Sequence, residues 1–202
     1  MISISATQKK LAILFGLLFV LIASVAVASF YPTTTNQGYD PIQPIPFSHK
    51  LHAGMNKIPC AYCHTGVEKS RHATIPAMNV CMNCHRAVKT DSPWIQKLTA
   101  MYEKNEPIQW VRVHELPDFV YFPHKRHVLK GVACEVCHGN VKEMDRIEQF
   151  APLTMGFCLD CHRGQTTPRN VMAQFALENP AAATANTRYK PVATTSCSAC
   201  HH

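Results

Sequence analysis

Residues 47–64 read FSHKLHAGMNKIPCAYCH, and residues 122–138 read FPHKRHVLKGVACEVCH. Each stretch opens on Phe-x-His-Lys-x-His and closes on Cys-x-x-Cys-His. Working outward, the closing motif recurs until every cysteine is used. It stands at Cys60-Ala-Tyr-Cys63-His64, Cys81-Met-Asn-Cys84-His85, Cys134-Glu-Val-Cys137-His138, Cys158-Leu-Asp-Cys161-His162 and Cys197-Ser-Ala-Cys200-His201. Cys-x-x-Cys-His is the attachment signature of c-type haem. Two thiols one short turn apart reach the two vinyl groups of a single macrocycle. The adjacent histidine then lies beneath the ring as proximal iron ligand. Disulfide pairing would not require a histidine after every second cysteine. Zinc sites would pair the Cys-x-x-Cys units or add histidines at finger spacing. The sequence therefore calls for five covalently bound c-type haems, with His64, His85, His138, His162 and His201 proximal.

Twelve histidines less five leave His49, His52, His72, His114, His124, His127 and His202 for the distal sides. Closed, six-coordinate irons carry electrons and offer no open position to a substrate. The two opening stretches also define an internal repeat. Met78 and Met155 each precede the next motif by three residues, and Arg86 and Arg163 each follow it. The chain thus reads as a duplicated dihaem unit, residues 47–90 and 122–164, with a fifth haem in the C-terminal segment 165–202. Aligning the copies sets His72 against Met144 and makes them distal candidates for the second and fourth haems. Met144 otherwise packs on a macrocycle, as soft side chains do and as Met78 and Met155 are expected to. His114 reads either as a distal ligand or as a hydrogen-bond partner.

Residues 11–30, LAILFGLLFVLIASVAVASF, carry no charge and follow Lys9 and Lys10. Twenty residues rising about 1.5 Å each span the hydrocarbon core of a bilayer. The basic flank places residues 1–10 in the cytoplasm and the rest beyond the membrane. A cleaved signal peptide, ending at Ala26-Val27-Ala28, gives the same compartment. Residues 31–46 read as an extended linker. In the connecting segment 91–121, a helix should start at Ser92 and Pro93, bury Trp94, Leu98 and Met101, and end before Pro107. A shorter one should follow Pro168, with Val171, Met172 and Phe175 apolar. The fold class is mostly α and irregular, packed around haem, on one N-terminal transmembrane helix.

These motifs resemble the class III multihaem cytochromes c, in which the first lead-in histidine ligates the haem that follows and the second reaches a more distant one. That resemblance implies His49 on haem one, His124 on haem three, and His52 and His127 reaching across. The anchor, the five motifs and residues 110–127, WVRVHELPDFVYFPHKRH, more narrowly resemble the pentahaem cytochrome subunits of alternative complex III. The resemblance implies a relay from quinol-oxidising polytopic subunits and an iron–sulfur subunit to a monohaem cytochrome c or terminal oxidase. The chain would sit in the cytoplasmic membrane, single-pass, with its haem domain periplasmic, as an electron-transfer subunit rather than a catalyst on its own. The alternatives are a single-anchor multihaem quinol dehydrogenase and a multihaem reductase with one open haem.

The net charge of +7 first suggests nucleic acid. Lys9 and Lys10 belong to the cytoplasmic flank, which leaves five surplus positive charges outside. The propionates of five haems, about two each, absorb that surplus. No nucleic-acid partner is expected.

Overall fold

The computed structural model describes residues 5–164 and 193–201. The helix expected after Pro168, and His202, lie outside that range. Seven α-helices are described: α1 (Ala6–Thr35), α2 (Cys60–Cys63), α3 (Met78–His85), α4 (Pro93–Glu103), α5 (His124–Leu129), α6 (Glu135–His138) and α7 (Met155–His162). A π-helical turn, Lys50–Met55, and 3₁₀ turns at Val141–Glu143 and Cys197–Ala199 complete the regular structure. Among the described residues the β-structure is a single antiparallel bridge, Val120 to His201.

Helix α1 runs past both ends of the apolar stretch. A capping box starts it: Ser5 Oγ accepts from Gln8 N–H at 3.2 Å, and Gln8 Oε1 accepts from Ser5 N–H at 2.9 Å. Asn36, left-handed at φ 53°, ends it. An 18-residue window within Ala6–Tyr31 has mean hydropathy 2.9 and is not buried by the rest of the chain. The stretch is long and apolar enough to cross a membrane, and an uncovered apolar cylinder of this size is unsuited to water.

The linker is pinned to the haem-bearing part rather than free. Gln149, 1% exposed, is the joint. Its Nε2 donates to the carbonyls of Thr35 (2.6 Å) and Ala151 (3.2 Å), and its Oε1 accepts from Glu115 N–H at 3.2 Å. Its backbone exchanges bonds with Tyr39 (3.0 Å) and Gly38 (2.8 Å). Asp40 pairs with Arg146, and the Gln43 amide bonds both backbone groups of Val111, at 3.0 and 2.9 Å.

Helix α4 begins on Pro93 as its sequence requires, although the Ser92 hydroxyl makes no capping bond. Leu98 is buried with Ile45 and Met82, and Met101 packs against them. Trp94 stays 48% exposed under Lys97 Nζ, which stands 5.7 Å from the ring centre. The helix stops at Glu103 because Asn105 is left-handed, φ 56°, two residues before Pro107. Phe150 and Ala151 form a second small cluster with Leu153 and Phe157.

Replacing Gln149 with Leu keeps the volume but strands the Glu115 N–H and two carbonyls. It should cost about 2–4 kcal/mol, read as a lower urea midpoint of the detergent-solubilised holoprotein; an unchanged midpoint would refute the role of the joint.

Candidate haem-binding site

The motif histidines are placed by short helices whose last turn presents the imidazole. Helices α3 and α7 are each eight residues long, begin on Met78 and Met155, and end on His85 and His162. Thr154 caps α7, its hydroxyl accepting from Phe157 N–H at 3.3 Å. The lead-in histidines sit on the π-helical turn and on α5. Their surroundings repeat closely. Phe47 meets His49 edge-on (4.8 Å, 83°) and stacks on His52 (4.3 Å, 24°). Phe122 meets His124 edge-on (4.9 Å, 87°) and stacks on His127 (4.4 Å, 28°).

Six of these imidazoles share one feature. Nδ1 lies against a backbone carbonyl in His52 (Ser48, 2.8 Å), His64 (Thr74, 2.7 Å) and His85 (Val88, 3.0 Å). The same holds for His124 (Arg71, 2.8 Å), His127 (Pro123, 3.0 Å) and His162 (Thr194, 2.6 Å). A carbonyl only accepts, so Nδ1 carries the proton and Nε2 presents its lone pair. That is how a metal-binding histidine is oriented by its outer partner.

The rings then face each other in pairs. His52 and His85 stand 6.1 Å apart between centroids, His127 and His162 6.1 Å, and His124 and His138 6.4 Å. A metal–nitrogen bond of about 2 Å on each side places two axial imidazoles about 6 Å apart between ring centres. The donor pairs fit an iron between them. His49 fits differently: its Nδ1 is buried with no partner, and His64 is among the charges that act on it.

Electrostatics favour the ligating, neutral form. Desolvation, then His114 and other histidines, hold the His138 pKa down to about 3. Burial, then neighbouring imidazoles, hold His49 and His114 at about 4. His127 is lowered chiefly by burial. Burial pushes the Cys137 thiol up to about 12 and raises Cys63, Cys81, Cys134, Cys158 and Cys161. All ten cysteines are unpaired. Such surroundings reject a thiolate and accept an uncharged thioether, and among the described residues no three His, Cys, Asp or Glu side chains converge as a zinc cluster needs.

The other candidates stand elsewhere. His72 is exposed on the loop whose Arg71 carbonyl also accepts from His124 N–H at 3.0 Å. Met144 is half-buried, and its carbonyl accepts from Lys50 N–H at 2.9 Å. His114 Nε2 lies 3.1 Å from His138 Nδ1. His201 stacks on Phe119 at 5.7 Å. Beside His85 an open cleft of about 500 Å³ is lined by Met82, Arg86 and Tyr102.

The family described as "Cytochrome c7 and related cytochrome c" matches residues 45–105 and 120–202. The chain belongs to that family. It is a multihaem cytochrome c, an electron-transport protein. A relative from Nitratidesulfovibrio vulgaris (strain Hildenborough), the multiheme cytochrome c subunit of menaquinone reductase, is 31% identical over 115 residues. That region is 52% of this chain and 55% of the relative, so the chain spans about half of the length it matches.

Reading the sequence missed the outer carbonyls. Ser48 and Pro123 stand four residues before His52 and His127, a helical spacing that was there to be read. Thr74, Arg71 and Thr194 carry no local signal, because their carbonyls arrive from separate loops.

The depressed imidazoles set an acid limit. The unfolded chain takes up protons below about 6.5, whereas the folded imidazoles stay neutral. Stability is therefore fully present above that pH and is lost as pH falls toward 4. The urea midpoint of the holoprotein, followed by Soret dichroism, should drop between pH 7 and pH 5; a flat profile would contradict the assignment.

Proposed function

We propose that this cytochrome is the membrane-anchored pentahaem relay of a quinol-oxidising complex of the alternative complex III kind. Polytopic subunits oxidise quinol, an iron–sulfur subunit hands on the electrons, and this chain passes them to a monohaem cytochrome c or a terminal oxidase. Its N-terminus lies in the cytoplasm, α1 anchors it in the cytoplasmic membrane, and residues after the linker work on the periplasmic side. The observation that carries the reading is the set of imidazole pairs facing each other across about 6 Å, because a pair closed on both sides suits electron passage and not substrate binding. The relative named as a menaquinone reductase subunit supports the link to quinone.

Each bound haem supplies a one-electron Fe(III)/Fe(II) couple. The chain's own residues fix where it sits. Cys60 and Cys63, and the four later pairs, attach the macrocycles. His64, His85, His138, His162 and His201 are the proximal ligands. His52 completes the second site and His127 the fourth, in the places where alignment of the copies had suggested His72 and Met144. His124 completes the third site and His49 the first. His114 accepts the Nδ1 proton of His138 and holds that ring in its ligating tautomer. The two matching halves are a duplicated dihaem unit with a fifth site appended.

One observation favours a second reading, direct quinol oxidation at the membrane surface. The anchor's end, Thr35, is joined through Gln149 to Phe150, whose ring packs on Gly139 beside His138. That contact brings the third motif near the membrane.

Purification in mild detergent should bring down an iron–sulfur subunit and polytopic partners, while the isolated subunit should not be reduced by menaquinol. Quinol reduction without partners would replace the first reading with the second. The oxidised protein should lack a thioether–iron charge-transfer band. A band that disappears in Met144→His would return the fourth site to Met144.

A further inference from the structure

The five motifs follow one another along the chain, but their contacts follow a different order. Motifs one and two touch directly, since Asn83 Nδ2 in the second donates to Tyr62 Oη in the first at 3.1 Å. Motifs one and three touch as well. The Cys134 and Cys60 sulfurs are electrostatic neighbours. Behind them the turn Lys50–Met55 packs on Val141–Glu143 so closely that a Cβ on Gly54 would fall 2.2 Å from the Lys142 carbonyl oxygen. Motifs three and four are joined by α5, whose His124 and His127, one turn apart, face His138 and His162. Motifs four and five are joined where His162 Nδ1 meets the Thr194 carbonyl at 2.6 Å, three residues before Cys197.

We infer that the attachment sites form a single unbranched row in the order two, one, three, four, five, so that the first motif is the bridge between the halves and the second motif is a terminus. The inference rests on reading the motifs as haem sites and goes beyond it by fixing the sequence of stations. The electrostatic neighbours of the thiols agree: Cys63 feels Cys84, Cys81 feels Cys63, Cys137 feels Cys158 and Cys161, and Cys158 feels Cys200. Among the described residues motif two also meets His52 through His85 and packs on α4 and the linker, where Met82, Leu98 and Ile45 share a buried cluster.

The row has a physical cause. In each half the lead-in histidines are three residues apart on one turn, so they serve two neighbouring sites. The first half would therefore place sites one and two side by side whatever the second half does. Which of the two meets the second half is settled by Gly54. Only a residue without a side chain lets the turn under His49 and His52 lie on the Lys142 backbone, and that contact draws the Cys60 end of the unit, not the Cys81 end, against Cys134. Passage along the row makes and breaks no bond. One electron leaves a ferrous centre and reduces the next ferric one, with quinol as the ultimate source and an oxidised cytochrome or oxidase as the sink.

Two experiments test the order. Anomalous diffraction at the iron edge, on the wild-type holoprotein in detergent, locates the irons without any substitution. The iron at motif one should have those of motifs two and three as its neighbours; finding the iron of motif two between one and three would overturn the order. Haem-deletion variants read the same order kinetically after photochemical injection of electrons. In C60A/C63A one remaining haem should drop out of the fast re-equilibration, whereas in C81A/C84A all remaining haems should stay in one fast phase. The reverse assignment of the two behaviours would overturn the inference. Intact mass separates the two levels of argument. A wild-type protein lacking covalent haem refutes the haem reading and the row with it, whereas a full complement in another order refutes the row alone.

Discussion

The structure turns on pairs of imidazoles set about 6 Å apart between ring centres, a gap that fits an iron ligated on both sides. The pairs at 6.1–6.4 Å share no common ring-to-ring angle, which runs from 8° to 61°, so attraction between the rings does not set the gap. They are kept open by backbone. Five of the six rings are clamped at Nδ1 by a carbonyl, and His138 by His114 Nε2, so the chain spends its loops on delivering these partners to particular points rather than on building sheets. This accounts for the shortness of the helices after the anchor, most of which last only long enough to orient two thiols and an imidazole. It also accounts for desolvated histidines held neutral in a protein that carries surplus positive charge.

Much of this was legible in the sequence, and the limits have physical reasons. Cys-x-x-Cys-His can be read because its chemistry is complete within five consecutive residues. The anchor can be read because a bilayer imposes a length. Helix α4 can be read because Pro93 and the spacing of Leu98 and Met101 are local signals. The distal partners do not follow from local spacing, because they pair across the chain: His52 meets His85, and His127 meets His162, over 33 and 35 residues, a crossing that the family resemblance alone implied. Alignment of the halves offered His72 and Met144 as equivalents, but equivalence between copies says nothing about which ring a residue faces. Gln149 gave no signal at all, since an isolated glutamine between Glu148 and Phe150 has no pattern to betray burial.

On the proposed reading, two like halves give a row rather than a cluster. Each half brings two sites that already share a turn of distal ligands, so joining the halves needs a single contact. Here the contact is Gly54 on Lys142, and each half retains an outer site, motif two on one side and motif four on the other. Motif five then lengthens the second side, held by Thr194 and by the Tyr121 N–H that donates to the Cys200 carbonyl at 2.7 Å.

The anchor meets this row near its middle. Gln149 ties Thr35 to the segment beside motif three, and the linker then runs on to bury Ile45 with Met82 in motif two. In the proposed row the segment after the anchor is therefore held at two places, near the middle and at the motif-two end. Gln149 fixes the first of these places, because its side chain bonds the end of the anchor helix at Thr35 while its own backbone continues into the segment packed beside motif three.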